Sequence, residues 1–277
     1  MRLVKYCANG NDFLLYNAFE RGAKVCENDF GQNLEITYAE CARKWCERHN
    51  GIGADGFVVL KPSLKDHIAY KWEFFNADGS VGEMCGNASR CVGSFAYTEG
   101  LAPRTHRFLS LAGEIGVEVD SHNPLVVESM LGEYAFLRQV RESSPWGEEW
   151  YLLDTGVPHL VCLVDVSCAL PKPKGAHNVF LRSLREKYNA NINIACVQNL
   201  ENMAYATYER GVEDITLACG TGAAAVVAAA HRLGLVDVKV RTIPPGGEAL
   251  EVRIDAQNIV YLKGAVQRVA VCEVENL

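Results

Sequence analysis

Two cysteines stand where a thiol becomes a reagent. Cys85 opens Cys85-Gly86-Asn87-Ala88, and Cys219 opens Cys219-Gly220-Thr221-Gly222. In each case a glycine, Gly100 or Gly234, follows fifteen residues after the cysteine and marks a helix end. Each cysteine is therefore expected at a helix amino terminus. The first backbone N–H groups of a helix have no partner within it, so they favour a thiolate and bind anions. Two such starts, one per domain and facing across a cleft, would hold a carboxylate between two thiols. That geometry removes a proton from one face of an α-carbon and returns one to the other. The reaction class is racemisation or epimerisation without a cofactor.

Magnitudes show that a helix terminus alone is not enough. A free thiol titrates at about 8.5, so bringing it to neutrality takes about 2 kcal/mol. A helix end supplies roughly 0.3–1 kcal/mol, and about 2 only when partly buried. One cysteine must be a thiolate while the other holds its proton, the usual arrangement of an acid–base pair. His159, in Gly156-Val157-Pro158-His159, and Glu209 are candidates for tuning that pair. Each has a plainer alternative. His159 can be a hydrogen-bonded core histidine, and Glu209-Arg210 a surface ion pair.

The elements that must position these groups are short. Strands are expected over Arg2–Cys7, Phe57–Lys61, Lys71–Phe75, Val117–Val119, Leu125–Met130, Leu160–Val164, Met203–Tyr208, Val238–Arg241, Leu250–Ile254 and Ile259–Leu262. Thr37-Tyr38-Ala39-Glu40 reads as a capping box for a helix that stops near Gly51. A second amphipathic helix spans Val179 to Tyr188, with Phe180, Leu181 and Leu184 on one side. The two cysteine-led segments repeat with a period of about 134 residues, far too long for a solenoid. Two homologous α+β halves explain it. The turn residues Ser121–Pro124 mark the hinge, giving lobes of residues 1–120 and 121–264.

One motif misleads. Gly51-Ile52-Gly53-Ala54-Asp55-Gly56 fits G-x-G-x-x-G. The dinucleotide fingerprint needs a strand before it and a helix after it, and here the order is reversed. The glycines are expected to permit a tight turn or a close approach instead.

Composition bounds the rest. The chain has 277 residues, 49% hydrophobic and 22% charged, and a net charge of −7. It is long enough for two domains and a real core. It has no basic tract, so nucleic acid is not expected as a partner. The most apolar stretch, Leu217 to Ala230, is fourteen residues, where a membrane span needs about 20. No signal core is visible, so a cytoplasmic protein is expected. The eleven cysteines include no C-x-x-C pair, which argues against a zinc site or a thiol-redox enzyme and for mostly buried, reduced thiols.

Taken together, the residues resemble diaminopimelate epimerase. The matching segments are Gly10-Asn11-Asp12-Phe13, Arg48-His49-Asn50-Gly51 through Gly56, Phe75-Asn76-Ala77-Asp78-Gly79-Ser80, Glu83-Met84-Cys85-Gly86-Asn87, Arg90-Cys91, Gly156-Val157-Pro158-His159, Tyr208-Glu209-Arg210-Gly211 and Ala218-Cys219-Gly220-Thr221-Gly222. They follow the family's order and cover nearly the whole chain. The resemblance implies two pseudo-symmetric α+β lobes, each a mixed sheet wrapped round a central helix, with residues 265–277 returning to the first lobe. It implies interconversion of LL- and meso-diaminopimelate, in lysine and peptidoglycan precursor biosynthesis, with no pyridoxal phosphate and no metal. Cys85 and Cys219 would be the acid/base pair. Gly86, Asn87, Gly220 and Thr221 would supply donors to the reacting carboxylate. Asn11, Asn76, Asn193, Glu209 and Arg210 would hold the substrate, mainly its distal amino-acid end. A homodimer is implied as well.

Three positions depart from the family's pattern. Ala88 stands where the family has glycine, and Gly56 and Val157 where some members carry Gln and Asn. Polar contacts from the last two are expected to be absent or made by backbone. Cys7 is unexplained. The rival readings are an epimerase of the same fold acting on another amino acid, of proline or histidine type, and a two-lobed amino-acid binding protein. Glu209-Arg210 and the three asparagines favour a substrate with a second amino-acid head.

Overall fold

The computed structural model describes residues 1–19, 37–166 and 168–274. The chain divides into two compact units, Met1–Ser129 with Ala265–Leu277, and Met130–Gly264. The division falls inside a strand, Val126–Glu133, a few residues beyond the Ser121–Pro124 turn.

In the first unit β1 (Arg2–Ala8) and β2 (Asn11–Asn17) form an antiparallel hairpin. Its loop is Asn9-Gly10, with φ of 51° and 86°. A two-residue turn with φ positive at both positions matches strand twist, and Asn-Gly adopts it at least cost. Helix α1 (Tyr38–Trp45) opens with the expected capping box. Glu40 N–H donates to Thr37 Oγ1 at 3.3 Å, and Thr37 N–H to Glu40 Oε2 at 2.7 Å. It stops earlier than the sequence suggests, with Cys46 as its cap. The reason is the glycine motif. The N–H groups of Ile52 and Gly53 both turn back onto the Trp45 carbonyl, at 2.8 and 2.9 Å. Gly53 has φ +79°, and a Cβ at Gly51 would lie 2.7 Å from the Glu47 carbonyl oxygen. G-x-G-x-x-G here closes a helix.

Strands β3 (Gly56–Pro62), β4 (Tyr70–Asn76) and β5 (Val81–Gly82) precede helix α2 (Gly86–Thr98); β6 (Thr105–Ser110), β7 (Gly113–Val119) and β8 (Val126–Glu133) follow it. In the second unit come β9 (Ala135–Ser144), β10 (Gly147–Asp154), β11 (Pro158–Val164), α3 (Asn178–Tyr188), β12 (Asn191–Asn199), β13 (Asn202–Glu209) and β14 (Asp214–Ile215). Helix α4 (Gly220–Arg232), β15 (Lys239–Ile243), β16 (Leu250–Ile254) and β17 (Ile259–Ala265) complete it. The last strand, β18 (Gln267–Glu273), returns to pair with β1, Arg2 opposite Glu273.

The pairings show the duplication directly. β1–β2 and β10–β11 are antiparallel, β2–β3 and β11–β12 parallel, β3–β4 and β12–β13 antiparallel. β4–β6 and β13–β15 are again parallel, and β6–β7 and β15–β16 antiparallel. β18 on β1 is matched by β9 on β10. Each unit is a mixed sheet around one helix, an α+β architecture.

Those helices are buried on every side. In α4 the run Ala223–Ala230 is sealed from solvent, which suits a helix apolar all round. In α2 the residues from Gly86 to Ala96 are buried too, polar ones included. Ser89 Oγ donates to the Gly86 carbonyl and to Ser129 Oγ, both at 2.9 Å. Ser94 Oγ donates to the Pro124 carbonyl at 2.7 Å. Both helices end in a left-handed glycine, Gly100 at φ +72° and Gly234 at φ +71°, the usual helix stop.

Candidate active site

Each catalytic candidate cysteine is the last extended residue before its helix. Cys85 has φ −146°, ψ 121°, and Cys219 φ −124°, ψ 112°. Their carbonyls accept the first helical bonds, from Ser89 and Ala223, both at 2.9 Å. Neither side chain makes a capping hydrogen bond to its helix. Cys85 is half-buried; Cys219 is buried, with Sγ 3.5 Å from Thr221 Oγ1. The Tyr205 hydroxyl donates to the Cys219 carbonyl at 2.9 Å, and Thr155 Oγ1 to the Thr221 carbonyl at 3.1 Å. Both bonds hold the start of α4 in place.

In the first unit the hairpin tip brings Asn11 to the start of α2. Asn87 Nδ2 donates to Asn11 Oδ1 at 2.7 Å, and Asn11 Nδ2 to Asp55 Oδ2 at 3.0 Å. Asp55 and Asp12 share the Arg48 guanidinium, each at 2.8 Å, and Lys5 lies 2.9 Å from Asp12. Burial works against the Asp12 carboxylate, but hydrogen bonds from Arg48 and Lys5 hold its pKa below the ordinary value. Asn76 ends β4 exposed, its Nδ2 donating to Ser80 Oγ at 2.9 Å. Gly86 and Asn87 are buried in the first turn.

The second unit holds the rest. Thr207 Oγ1 donates to Asn193 Oδ1 at 2.8 Å, and Asn193 Nδ2 to His159 Nδ1 at 3.0 Å. His159 is fully buried, and that burial pushes its pKa down to about 3, against the Asn193 hydrogen bond. That burial favours the neutral imidazole. It brings no charge to a thiolate; it orients Asn193, with Asn191 Nδ2 at 3.4 Å on its other side.

Glu209 and Arg210 are not an ion pair with each other. Burial pushes the Glu209 carboxyl above its ordinary value, partly offset by the neighbouring Thr216 hydroxyl. Among the described residues Glu209 has no cationic partner. Among the described residues the exposed Arg210 guanidinium hydrogen-bonds only the Asn189 carbonyl and side chain, at 3.2 and 3.4 Å. Its backbone N–H is held by Asn191 Oδ1 at 2.8 Å. Among the described residues neither side chain forms an ion pair, so each keeps its charge for a ligand group of opposite sign.

Gly222 links this polar group to α4. A Cβ there would lie 2.5 Å from Thr207 Oγ1 and 2.8 Å from Asn193 Oδ1. The matching position in α2 is Ala88, fully buried. Gly222→Ala is expected to destabilise the protein by about 1–3 kcal/mol through overpacking. Because Asn193 must move, kcat/KM should fall more than the loss of folded protein explains. Thermal unfolding measured beside steady-state kinetics checks both.

At Gly56 a Cβ would meet Phe74 Cε2 at 2.7 Å and the Phe75 carbonyl oxygen at 2.9 Å, so no longer side chain fits. Sequence reasoning passed over Asp55, Arg90, Asn191 and Thr207 as site residues. Arg90 carried a signal: it is a charged residue inside a helix otherwise destined for the core. Among the described residues no cluster of three or more His, Cys, Asp or Glu could hold a metal ion, and no helix is long and apolar enough to cross a membrane.

A profile described as diaminopimelate epimerase matches residues 3–137 and 151–269 of the chain. The chain belongs to the diaminopimelate epimerase family. The family's member from Nitratiruptor sp. is 43% identical over 270 residues, covering 97% of this chain and 96% of the relative. The diaminopimelate epimerase of Helicobacter pylori strain HPAG1 is 43% identical over 281 residues, covering 96% and 94%. That of Campylobacter jejuni subsp. doylei is 36% identical over 250 residues, covering 90% of each. Among solved structures, a PhzF-family phenazine biosynthesis protein from Bacillus anthracis superposes with a TM-score of 0.71 at 14% identity, covering 99% of both chains. A probable proline racemase from Agrobacterium radiobacter K84 does so with a TM-score of 0.69 at 16% identity, covering 99% of this chain and 92% of that one. Both share the family's fold.

Proposed function

We propose that this chain is a diaminopimelate epimerase that interconverts the LL and meso forms by proton transfer between two cysteines. The observation that carries the reading is the pair of helix starts led by Cys85 and Cys219, with sulfurs not engaged as caps. As a thiolate, one cysteine takes the α-proton from one face. The N–H groups of Gly86 and Asn87, and of Gly220 and Thr221, hold the adjacent carboxylate as it gains negative charge. The other cysteine, as a neutral thiol, returns a proton to the opposite face. Inversion thus reverses the protonation of the pair.

Substrate choice rests on the distal end. Glu209 takes the distal ammonium and Arg210 the distal carboxylate, with Asn11, Asn76 and Asn193 completing the amide contacts. No cofactor or metal enters these steps. A cytoplasmic homodimer belongs to the same proposal, and sedimentation of the purified protein tests the dimer.

The deciding experiment uses reduced protein in D₂O with LL-diaminopimelate, L-proline and L-histidine in separate reactions. Conversion of LL- to meso-diaminopimelate with deuterium at the inverted centre, and no reaction of the other two, is the expected result. Inversion of proline or histidine instead would keep the chemistry and replace the substrate. No α-deuterium from any of them, with folded and reduced protein, would discard the reading in favour of an amino-acid binding protein.

A further inference from the structure

Arg90 is fully buried one turn into α2. Its Nη2 donates to Asn87 Oδ1 at 2.7 Å and to Asn9 Oδ1 at 2.6 Å, and its Nη1 to the Gly86 carbonyl at 3.1 Å. Two segments meet on this one group: the helix start behind Cys85, through the Gly86 carbonyl and the Asn87 side chain, and the hairpin tip that carries Asn11. The corresponding position of α4 is Ala224, which carries no charge.

The bonds run in one direction. Arg90 donates to Asn87, Asn87 to Asn11, and Asn11 to Asp55. A guanidinium can only donate and an ionised carboxylate can only accept. The amides between them could each be turned over by half a rotation at little cost, were it not for these ends. With a donor fixed at one end and an acceptor at the other, only one orientation of both amides satisfies every bond. Each amide then keeps one N–H outside the relay, and neither has any other hydrogen-bond partner among the described residues.

We propose that Asp55 and Arg90 are positioning residues, whose opposite charges fix the direction of the Asn11–Asn87 relay so that both amides offer N–H groups to a substrate carboxylate. This rests on the proposed function. Asp55 is itself oriented: Oδ1 takes the Arg48 guanidinium at 2.8 Å, leaving Oδ2 for Asn11 and for the Asp12 N–H at 3.2 Å.

The test compares Asp55→Asn with Asp55→Ala. In Asp55→Asn the side-chain oxygen stays with Arg48, because a charge-assisted bond outweighs a neutral one. The new amide N–H₂ then faces Asn11 Nδ2, donor against donor, and reverses the relay. Asp55→Ala removes the acceptor but leaves Arg90 to hold the direction. The isosteric variant should therefore be the worse enzyme, with KM raised about 100-fold against about tenfold for alanine, and kcat changed less than KM in both. A purely structural role predicts the opposite order, and finding Asn equal to or milder than Ala overturns the proposal.

Arg90→Lys should keep more of the wild-type KM than Arg90→Met. If Arg90→Met does not fold, the Asp55 pair still decides. A readout without substrate separates this inference from the function it rests on. In wild-type protein the side-chain N–H₂ resonances of Asn11 and Asn87 should be slow to exchange. Asp55→Asn should disturb both, and Asp55→Ala mainly that of Asn11. Wild-type protein that does not epimerise diaminopimelate but shows these signals refutes the function alone. Active wild-type protein with unperturbed signals in Asp55→Asn refutes the relay alone.

Discussion

Replacing Cys85 or Cys219 with serine is expected to lower epimerisation by about three orders of magnitude, within the range for losing a general acid or base. A thiol titrates at about 8.5, close enough to neutrality to give and take a proton, whereas a serine hydroxyl does not ionise there. The exchange is nearly isosteric, and neither sulfur caps its helix, so the variants should fold. Each variant keeps one thiol and so one reactive face. Cys85→Ser and Cys219→Ser should therefore each exchange the α-proton of one epimer with solvent deuterium while failing to invert it, and the two variants should choose opposite epimers. Mass spectrometry and chiral chromatography of both epimers would read this. A single variant with near-wild-type turnover would remove the two-base mechanism.

Arg210→Ala should be among the most damaging changes outside the cysteines. The guanidinium is exposed and, among the described residues, hydrogen-bonded only to Asn189, so its fork is available to a carboxylate. Loss of a charge-assisted, two-pronged contact should lower kcat/KM by about two orders of magnitude. KM should rise because the distal end is no longer held, and kcat should fall because the α-carbon is no longer placed. Arg210→Lys should recover only part, since an ammonium cannot offer the planar fork. The loop should keep its shape in both, because Asn191 Oδ1 holds the backbone N–H of residue 210 rather than its side chain. Steady-state kinetics alongside a melting curve separates these effects from unfolding.

What could be read in the chain, and what could not, follows from where each signal lives. The cysteine-led helices were legible because cap, length and closing glycine all lie within one segment. Strand β2, Asn11–Asn17, was not expected, since Phe13 to Tyr16 are all buried and the run shows no alternation. Strand β9, Ala135–Ser144, was missed for the opposite reason. It is largely exposed, with Arg138, Arg141 and Glu142 along it, and is defined by its backbone pairing with β10. Helix α1 ends early through carbonyl bonds to a loop that no helical period describes. In the site, residue types were readable but partnerships were not. Asn11 and Asp55 are 44 positions apart, and Asn87 and Asn11 are 76 apart. For His159 the sequence left two readings open, a tuner of the cysteine pair or a hydrogen-bonded core histidine, because its context says nothing of the burial that lowers its pKa.

The return of β18 to β1 also sets an order of manufacture. On a ribosome the second unit, Met130–Gly264, emerges as one continuous piece and can close its sheet as soon as it is out. The first unit cannot. Its β1 leaves the exit tunnel first, yet one of its edges stays open until β18, the last of the described strands, has been made. An open edge is a template for pairing with another nascent chain. Of the described strands, those of the half bearing Cys85 are thus begun before and completed after those of the other half, and through that interval the β1 edge stays unpaired.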